Sequence, residues 1–243
     1  MSEAARSSML PCPVLQLGTT DYARAGDLQR RLVELRKAEA IPDVLLLCEH
    51  PHVITLGRNA RRENLRLPEE ELARRGVEVH ATDRGGDVTY HGPGQLVGYP
   101  IMDLKQVKRD VAAYMRSLEE VLIRVASDFG LLAGRLPGLT GVWVGGEKLA
   151  AMGVHISRWV TSHGFALNVN TDLKYFDLIV PCGLAARRAT SLEALLGQRV
   201  EMAEVESSVV EHFAEVFVRE TCPARSHDPE EWLARHAHQI ATS

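Results

Sequence analysis

Residues 84–95 read RGGDVTYHGPGQ, with four glycines and one proline in twelve positions. No helix runs through such a segment, because glycine loses more backbone entropy on ordering than any other residue and proline has no amide to donate. It follows an alternating stretch, residues 77–82, that reads as a strand, and it precedes an apolar run, residues 96–101, that reads as another. Gly85, Gly86, Gly92 and Gly94 can reach positive φ and let backbone approach a ligand closely, while Thr89, Tyr90, His91 and Gln95 bring hydrogen-bonding groups. The spacing is neither GxGxxG nor GxxxxGK[ST], and no lysine follows the glycines, which disfavours a phosphate cradle. A ligand-facing loop and an ordinary hairpin turn both fit.

The rest of the chain interleaves helical and extended patterns. Apolar positions Tyr22, Ala25, Leu28, Leu32 and Leu35 recur at three and four residues and predict a helix over 21–40, stopped by Pro42. Residues 44–48 and 53–56 are short apolar runs, read as buried strands joined by a turn. A short helix over 68–75, a long one over 111–129 and a last one over 203–220 are expected, with Thr190 and Glu193 as a capping box for a short helix between. Gly145 and Gly146 separate residues 142–144 from 148–156 in the pattern of a hairpin, and 165–169 supplies a further strand. The pieces predict an α/β single domain, a mixed β-sheet flanked by helices, rather than a doubly wound parallel sheet. Its expected bounds are 14–222, with a loose tail over 1–13 and a peripheral segment over 223–243.

At 243 residues, with 45% hydrophobic and 25% charged residues, the chain has the balance of a globular protein. A net charge of −4 leaves no general basic footprint for nucleic acid. No apolar run approaches the roughly 18 residues that cross a bilayer, and the N-terminus lacks a signal-peptide core. A cytoplasmic monomer with no cofactor, no nucleic-acid partner and no membrane partner is expected. Cys12, Cys48, Cys182 and Cys222 form no CxxC pair, which argues against a zinc ribbon or disulfide framework. Cys48, His50 and His52 alternate on one strand face without closing a tetrahedron, so no metal is assigned to them.

Cys182 sits in IVPCG, where proline and glycine would end a strand and turn the thiol outward. A reactive thiol needs a basic neighbour; otherwise Cys182 is a small buried hydrophobe. Lys148, after the Gly145-Gly146 turn and at the head of LAAMG, is the candidate neighbour, and a solvated surface charge is its plainer reading. If the two meet, reference pKa values of about 8.5 and 10.4 already favour thiolate and ammonium. His91 and His163 are rival bases.

Taken in order, RGGDVTYHGPGQ, GEKLAAMG, HGFALNVN and IVPCG resemble the lipoyl(octanoyl) transferases across residues 44–196. The resemblance implies the sheet domain of biotin and lipoate protein ligases. It further implies transfer of octanoyl, or lipoyl, from acyl carrier protein to a lysine of the lipoyl domains of 2-oxoacid dehydrogenase E2 subunits and the glycine cleavage H protein. By motif, Cys182 is the nucleophile and Lys148 its partner. Arg84, Gly85, Gly86, Asp87, Val88, Thr89, Tyr90, His91, Ala151, Met152, Gly153, Gly164, Phe165 and Ala166 bind the acyl group, with His163 and Gln95 supporting. Leu149, Met152, Val154 and Phe165 are expected to wall an apolar tunnel, where burying seven carbons contributes about 5–6 kcal/mol. Arg58, Arg61, Arg62, Arg158, Arg187 and Arg188 are candidates for docking acidic partners. The alternative is an ATP-dependent lipoate or biotin protein ligase, which needs no cysteine.

Overall fold

The computed structural model describes residues 9–180, 188–223 and 229–237. In chain order the first half comprises β1 (Leu10–Thr19), α1 (Tyr22–Lys37), β2 (Val44–Glu49), β3 (Val53–Leu56), α2 (Glu69–Arg74), β4 (Glu78–Ala81), β5 (Val88–His91), β6 (Gln95–Ile101) and α3 (Val111–Asp128). Then follow β7 (Gly134–Leu136), β8 (Leu139–Val144), β9 (Glu147–Ser157), β10 (Val160–Asn168), α4 (Leu192–Leu196), α5 (Met202–Phe217), β11 (Arg219–Pro223) and α6 (Pro229–Ala237).

The run VLLLC in β2 is buried on both faces. Leu45 and Leu47 enter one core with Leu118, Leu122 and Val125 of α3 and Val209 and Phe213 of α5. Val44, Leu46 and Cys48 enter another with Ala25, Leu28 and Leu32 of α1. Period-two alternation thus distributes one strand between two helical layers. Eight strands form a mixed sheet in the order β11-β1-β2-β6-β10-β9-β8-β7, and a second sheet has the order β4-β3-β5. β2 and β3, adjacent in sequence, therefore part into different sheets.

Several boundaries differ from the sequence reading. β1 begins at Leu10, inside the expected tail over 1–13, because it pairs in parallel with both β11 and β2 and buries Cys12. The Gly-rich segment contains a strand: VTYH is rich in β-formers and pairs antiparallel with β3. The helix expected to reach residue 220 stops at Phe217; Val218 turns left-handed at φ 52° and the chain re-enters the sheet as β11. Ser191, not Thr190, caps α4, its hydroxyl accepting from the Ala194 amide at 3.1 Å. The expected peripheral segment over 223–243 contributes α6, whose Trp232 and Leu233 enter the core beneath α1.

Asp43, buried ahead of β2, accepts from Arg36 Nε at 2.8 Å, Arg219 Nε at 2.9 Å and the Asp103 amide at 2.9 Å. One carboxylate thus ties the end of α1 to β11 and to the link after β6. Asp43→Ala leaves buried Arg219 without its counter-ion and leaves Arg36 only the longer contact to Asp103, at 3.9 Å. It is expected to cost about 3–5 kcal/mol and lower Tm by on the order of 10 °C in thermal unfolding.

Candidate functional site

β9 and β10 pair antiparallel with Ala151 opposite Ala166 and Gly153 opposite Gly164. Strand alternation puts these four small residues on one face, where Ala166 meets Val97 and Tyr99. Small side chains leave a trough where larger ones would fill the layer. Met152 and Phe165, opposite each other and one residue out of phase, pack on the α3–α5 side, as do Leu149 and Val154. Of the expected tunnel walls, Leu149 and Val154 are core packing, whereas Met152 and Phe165 pack on that core and also line the cavity described next.

The second sheet closes over the trough. The Gly85 amide donates to the Val154 carbonyl at 2.9 Å. A Cβ built on Gly153 would stand 2.7 Å from the Gly85 carbonyl oxygen, so this approach of two backbones requires glycine. Between the sheets lies a cavity of about 1130 Å³. Arg84, Gly86, Asp87, Val88, Thr89, His91, Gln95, Lys148, Ala151, Met152, Gly153, His163, Gly164, Phe165 and Ala166 line it. Gly85 and Tyr90 are not in that lining: Gly85 packs on β9, and Tyr90 is fully buried with its hydroxyl 2.7 Å from His52 Nδ1 and its ring stacked on Tyr175.

Lys148 lies at the start of β9, opposite Trp143, with Nζ 4.8 Å from the indole centroid. Burial lowers its pKa from the ordinary 10.5, while the indole face opposes that shift by favouring the ammonium. The Lys148 amide donates to the Arg188 carbonyl and the Thr190 amide donates to the Lys148 carbonyl, each at 2.9 Å. On the other side of residues 181–187, the Val180 amide donates to the Asn64 carbonyl and Asn64 Nδ2 to the Val180 carbonyl, each at 2.8 Å. Val180, Arg188, Ala189 and Thr190 line the same cavity as Lys148. Cys182 itself lies outside the described residues, as does Arg187. The expected strand before Cys182 is instead a 3-10 helix, Leu173–Leu178, followed by a single bridge from Ile179 to Leu65.

A buried hydrogen-bonded chain crosses the cavity. His91 donates from Nδ1 to Gln95 Oε1 at 2.7 Å; Gln95 Nε2 donates to Asn168 Oδ1, and Asn168 Nδ2 to the Thr190 carbonyl, each at 2.9 Å. His50 donates from Nδ1 to the Thr20 carbonyl at 2.6 Å and accepts from the Tyr99 hydroxyl at 2.7 Å. His163, left-handed at φ 55°, lies 2.7 Å from Asp83. Arg84, buried, donates to Thr55 and to the Gly85 and Asp87 carbonyls. Tyr22, Val97, Tyr99, Trp143 and Asn168 also line the cavity, and the sequence reading did not assign them to the site. Of the proposed docking cations, Arg61, Arg62 and Arg158 pair with Glu63, Glu69 and Glu34, and Arg58 contacts His155. Arg188 remains exposed at the cavity.

Burial holds His50 and His163 below the ordinary 6.5 and pushes His91 down to about 3. The fold therefore takes these rings neutral, whereas the unfolded chain protonates them near 6.5. Stability is full above that pH and falls as pH drops through it, over a window that for His91 runs to about 3. Tm measured downward from about pH 8 should decline below about 6.5, and His91→Gln should flatten that decline.

Comparison with known proteins agrees with this geometry. A family model described as the lipoyl protein ligase A/B catalytic domain matches residues 21–214. An octanoyltransferase of Solibacter usitatus (strain Ellin6076) is 56% identical over 218 residues, covering 90% of this chain and 98% of the relative. One from Koribacter versatilis (strain Ellin345) is 54% identical over 209 residues, covering 84% and 83%. Among solved structures, a lipoate-protein ligase A bound with ATP superposes with a TM-score of 0.71 at 16% identity, covering 94% of each chain. A bi-partite lipoate protein ligase from Thermoplasma acidophilum gives 0.71 at 17%, covering 95% of this chain and 92% of that one.

Proposed function

The chain belongs to the lipoyl protein ligase A/B catalytic domain family and is an octanoyltransferase of protein lipoylation, and from that premise we propose that it works through a thioester on Cys182 with Lys148 as its proton partner. The donor is octanoyl-acyl carrier protein, and the acceptors are lysines of lipoyl domains. The observation that carries this reading is Lys148: a half-buried ammonium at the head of the trough, with no carboxylate paired to it among the described residues. Such a cation favours an anion beside it, and a thiolate is one.

In the first half-reaction the Cys182 thiolate attacks the thioester carbonyl. Its new C–S bond replaces the bond to the carrier sulfur, which leaves as a thiol with the proton of the Lys148 ammonium. One thioester is exchanged for another. In the second, a neutral acceptor amine attacks the acyl-enzyme, Lys148, now neutral, takes the amine's proton, and Cys182 leaves as thiolate. The amide is formed and the thiolate–ammonium pair is restored. A lysine whose pKa lies below the ordinary value suits both proton transfers. Roughly 16 Å of strand separates Lys148 from Gly153 at about 3.3 Å per residue, room for an eight-carbon chain along Ala151 and Ala166.

Lys148→Arg separates the two roles, since a guanidinium keeps the charge but does not give up its proton. With octanoyl-acyl carrier protein and no ATP, the intact mass of Lys148→Arg should still show an octanoyl adduct on Cys182, because the carrier sulfur can leave as a thiolate beside the guanidinium. Discharge of that adduct to a lipoyl domain should be slower by about 10²–10⁴. Lys148→Ala should form little adduct and Cys182→Ser none. Wild-type adduct formation in Lys148→Ala, or acceptor modification that requires ATP and free octanoate, would overturn the reading.

A further inference from the structure

Five cations line the cavity, Arg66, Arg84, Lys148, Lys174 and Arg188, against three carboxylates, Asp87, Glu147 and Asp177. This excess of positive charge stands in a chain whose net charge is −4. Arg84 is buried and occupied by Thr55 and backbone carbonyls, and Lys148 serves the chemistry already described. The other three are exposed, and none has a carboxylate partner among the described residues. Arginines close by in sequence but outside the cavity behave differently: Arg61 pairs with Glu63, Arg62 with Glu69, and Arg74 and Arg75 both with Glu71.

Arg66 and Lys174 line the same cavity as Lys148, and Arg188 neighbours Lys148 along the backbone. Arg66 is held beside the 3-10 helix that carries Lys174, its amide donating to the Leu178 carbonyl at 2.9 Å. Arg188 lies next to Lys148 through its own carbonyl, which accepts from the Lys148 amide at 2.9 Å. With the acyl tail in the trough and the thioester carbon at Lys148, the remainder of a carrier-borne donor must leave past exposed lining residues. That remainder is a pantetheine arm whose amides are neutral and whose far end is a phosphodiester. The phosphate is the one anion the arm itself brings to three cations that have no carboxylate partner among the described residues.

We propose that Arg66, Lys174 and Arg188 form a subsite for the phosphate of the phosphopantetheine arm of the acyl carrier protein donor. This deepens the thioester reading and rests on it. The enzyme thereby recognises the arm as well as the acyl chain and the carrier surface, and it does so with exposed cations whose pull is screened by salt.

The test compares single-turnover acylation of Cys182 by two small donors that differ only in the phosphate, octanoyl-phosphopantetheine and octanoyl-pantetheine. The phosphorylated donor should be better by on the order of tenfold in kcat/KM, the sum of three exposed charge contacts. That ratio should shrink in high salt and fall towards one in Arg66→Gln/Lys174→Gln/Arg188→Gln. Lys174→Glu should lower the ratio below that of Lys174→Gln, and Lys174→Arg should keep it. A ratio near one in the wild-type enzyme, with both donors acylating Cys182, would overturn the subsite and leave the thioester reading intact. Absence of any adduct from either donor would instead overturn the thioester reading. If the triple variant lost activity with octanoyl-coenzyme A but kept a wild-type KM for the octanoyl-carrier protein, the assignment to the carrier's arm would be wrong.

Discussion

The approach of Gly85 to Gly153 is the contact on which the site depends. Two sheets meet there backbone to backbone, with the Gly85 amide bonded to the Val154 carbonyl at 2.9 Å and no space for a Cβ on Gly153. Beside this contact, alanine and glycine on β9 and β10 line the cavity. The glycines of residues 84–95 are thus explained by sheet-to-sheet packing as much as by any ligand. Arg84 secures the same junction, giving its guanidinium hydrogens to Thr55 on β3 and to carbonyls of its own segment.

The cavity wall carries both neutral and charged groups. His91 and His163, which line the cavity, and His50 behind them are held neutral by burial, so these rings offer fixed dipoles and hydrogen bonds. Lys148, in the same lining, is partly desolvated and lies over the indole of Trp143. A face of alanine and glycine leading to Lys148 is an arrangement that suits an acyl thioester. The chain through His91, Gln95, Asn168 and Thr190 links this wall to the backbone that runs beside Lys148.

Much of this was legible in the residues. The doubly buried β2, the long helices and the Gly145-Gly146 hairpin follow from apolar periodicity, and the hairpin alone places Lys148 across from Trp143. β5 was hidden because glycine and proline flank it closely, and its pairing partner β3 lies 35 residues upstream, counting Val53 to Val88. The trough was invisible to pattern reading for a different reason. Hydrophobicity marks where side chains fill space, whereas Ala151, Gly153, Gly164 and Ala166 matter by leaving it empty. Of the expected walls, Leu149 and Val154 lie in the α3–α5 core, and Met152 and Phe165 reach both that core and the cavity. α6 was read as peripheral because its seat under α1 is a long-range contact that no local signal announces.

The central claim is that the acyl chain lies along the small-residue face of β9 and β10, with its carbonyl at Lys148. The most direct measurement is the acylation rate of Cys182 with donors of six to twelve carbons, in the wild-type enzyme and in Ala166→Val. Added methyl groups midway along the trough should move the preferred length to shorter chains and preserve reaction with the shortest donor. Equal loss at every chain length, or an unchanged preference, would contradict the placement of the chain.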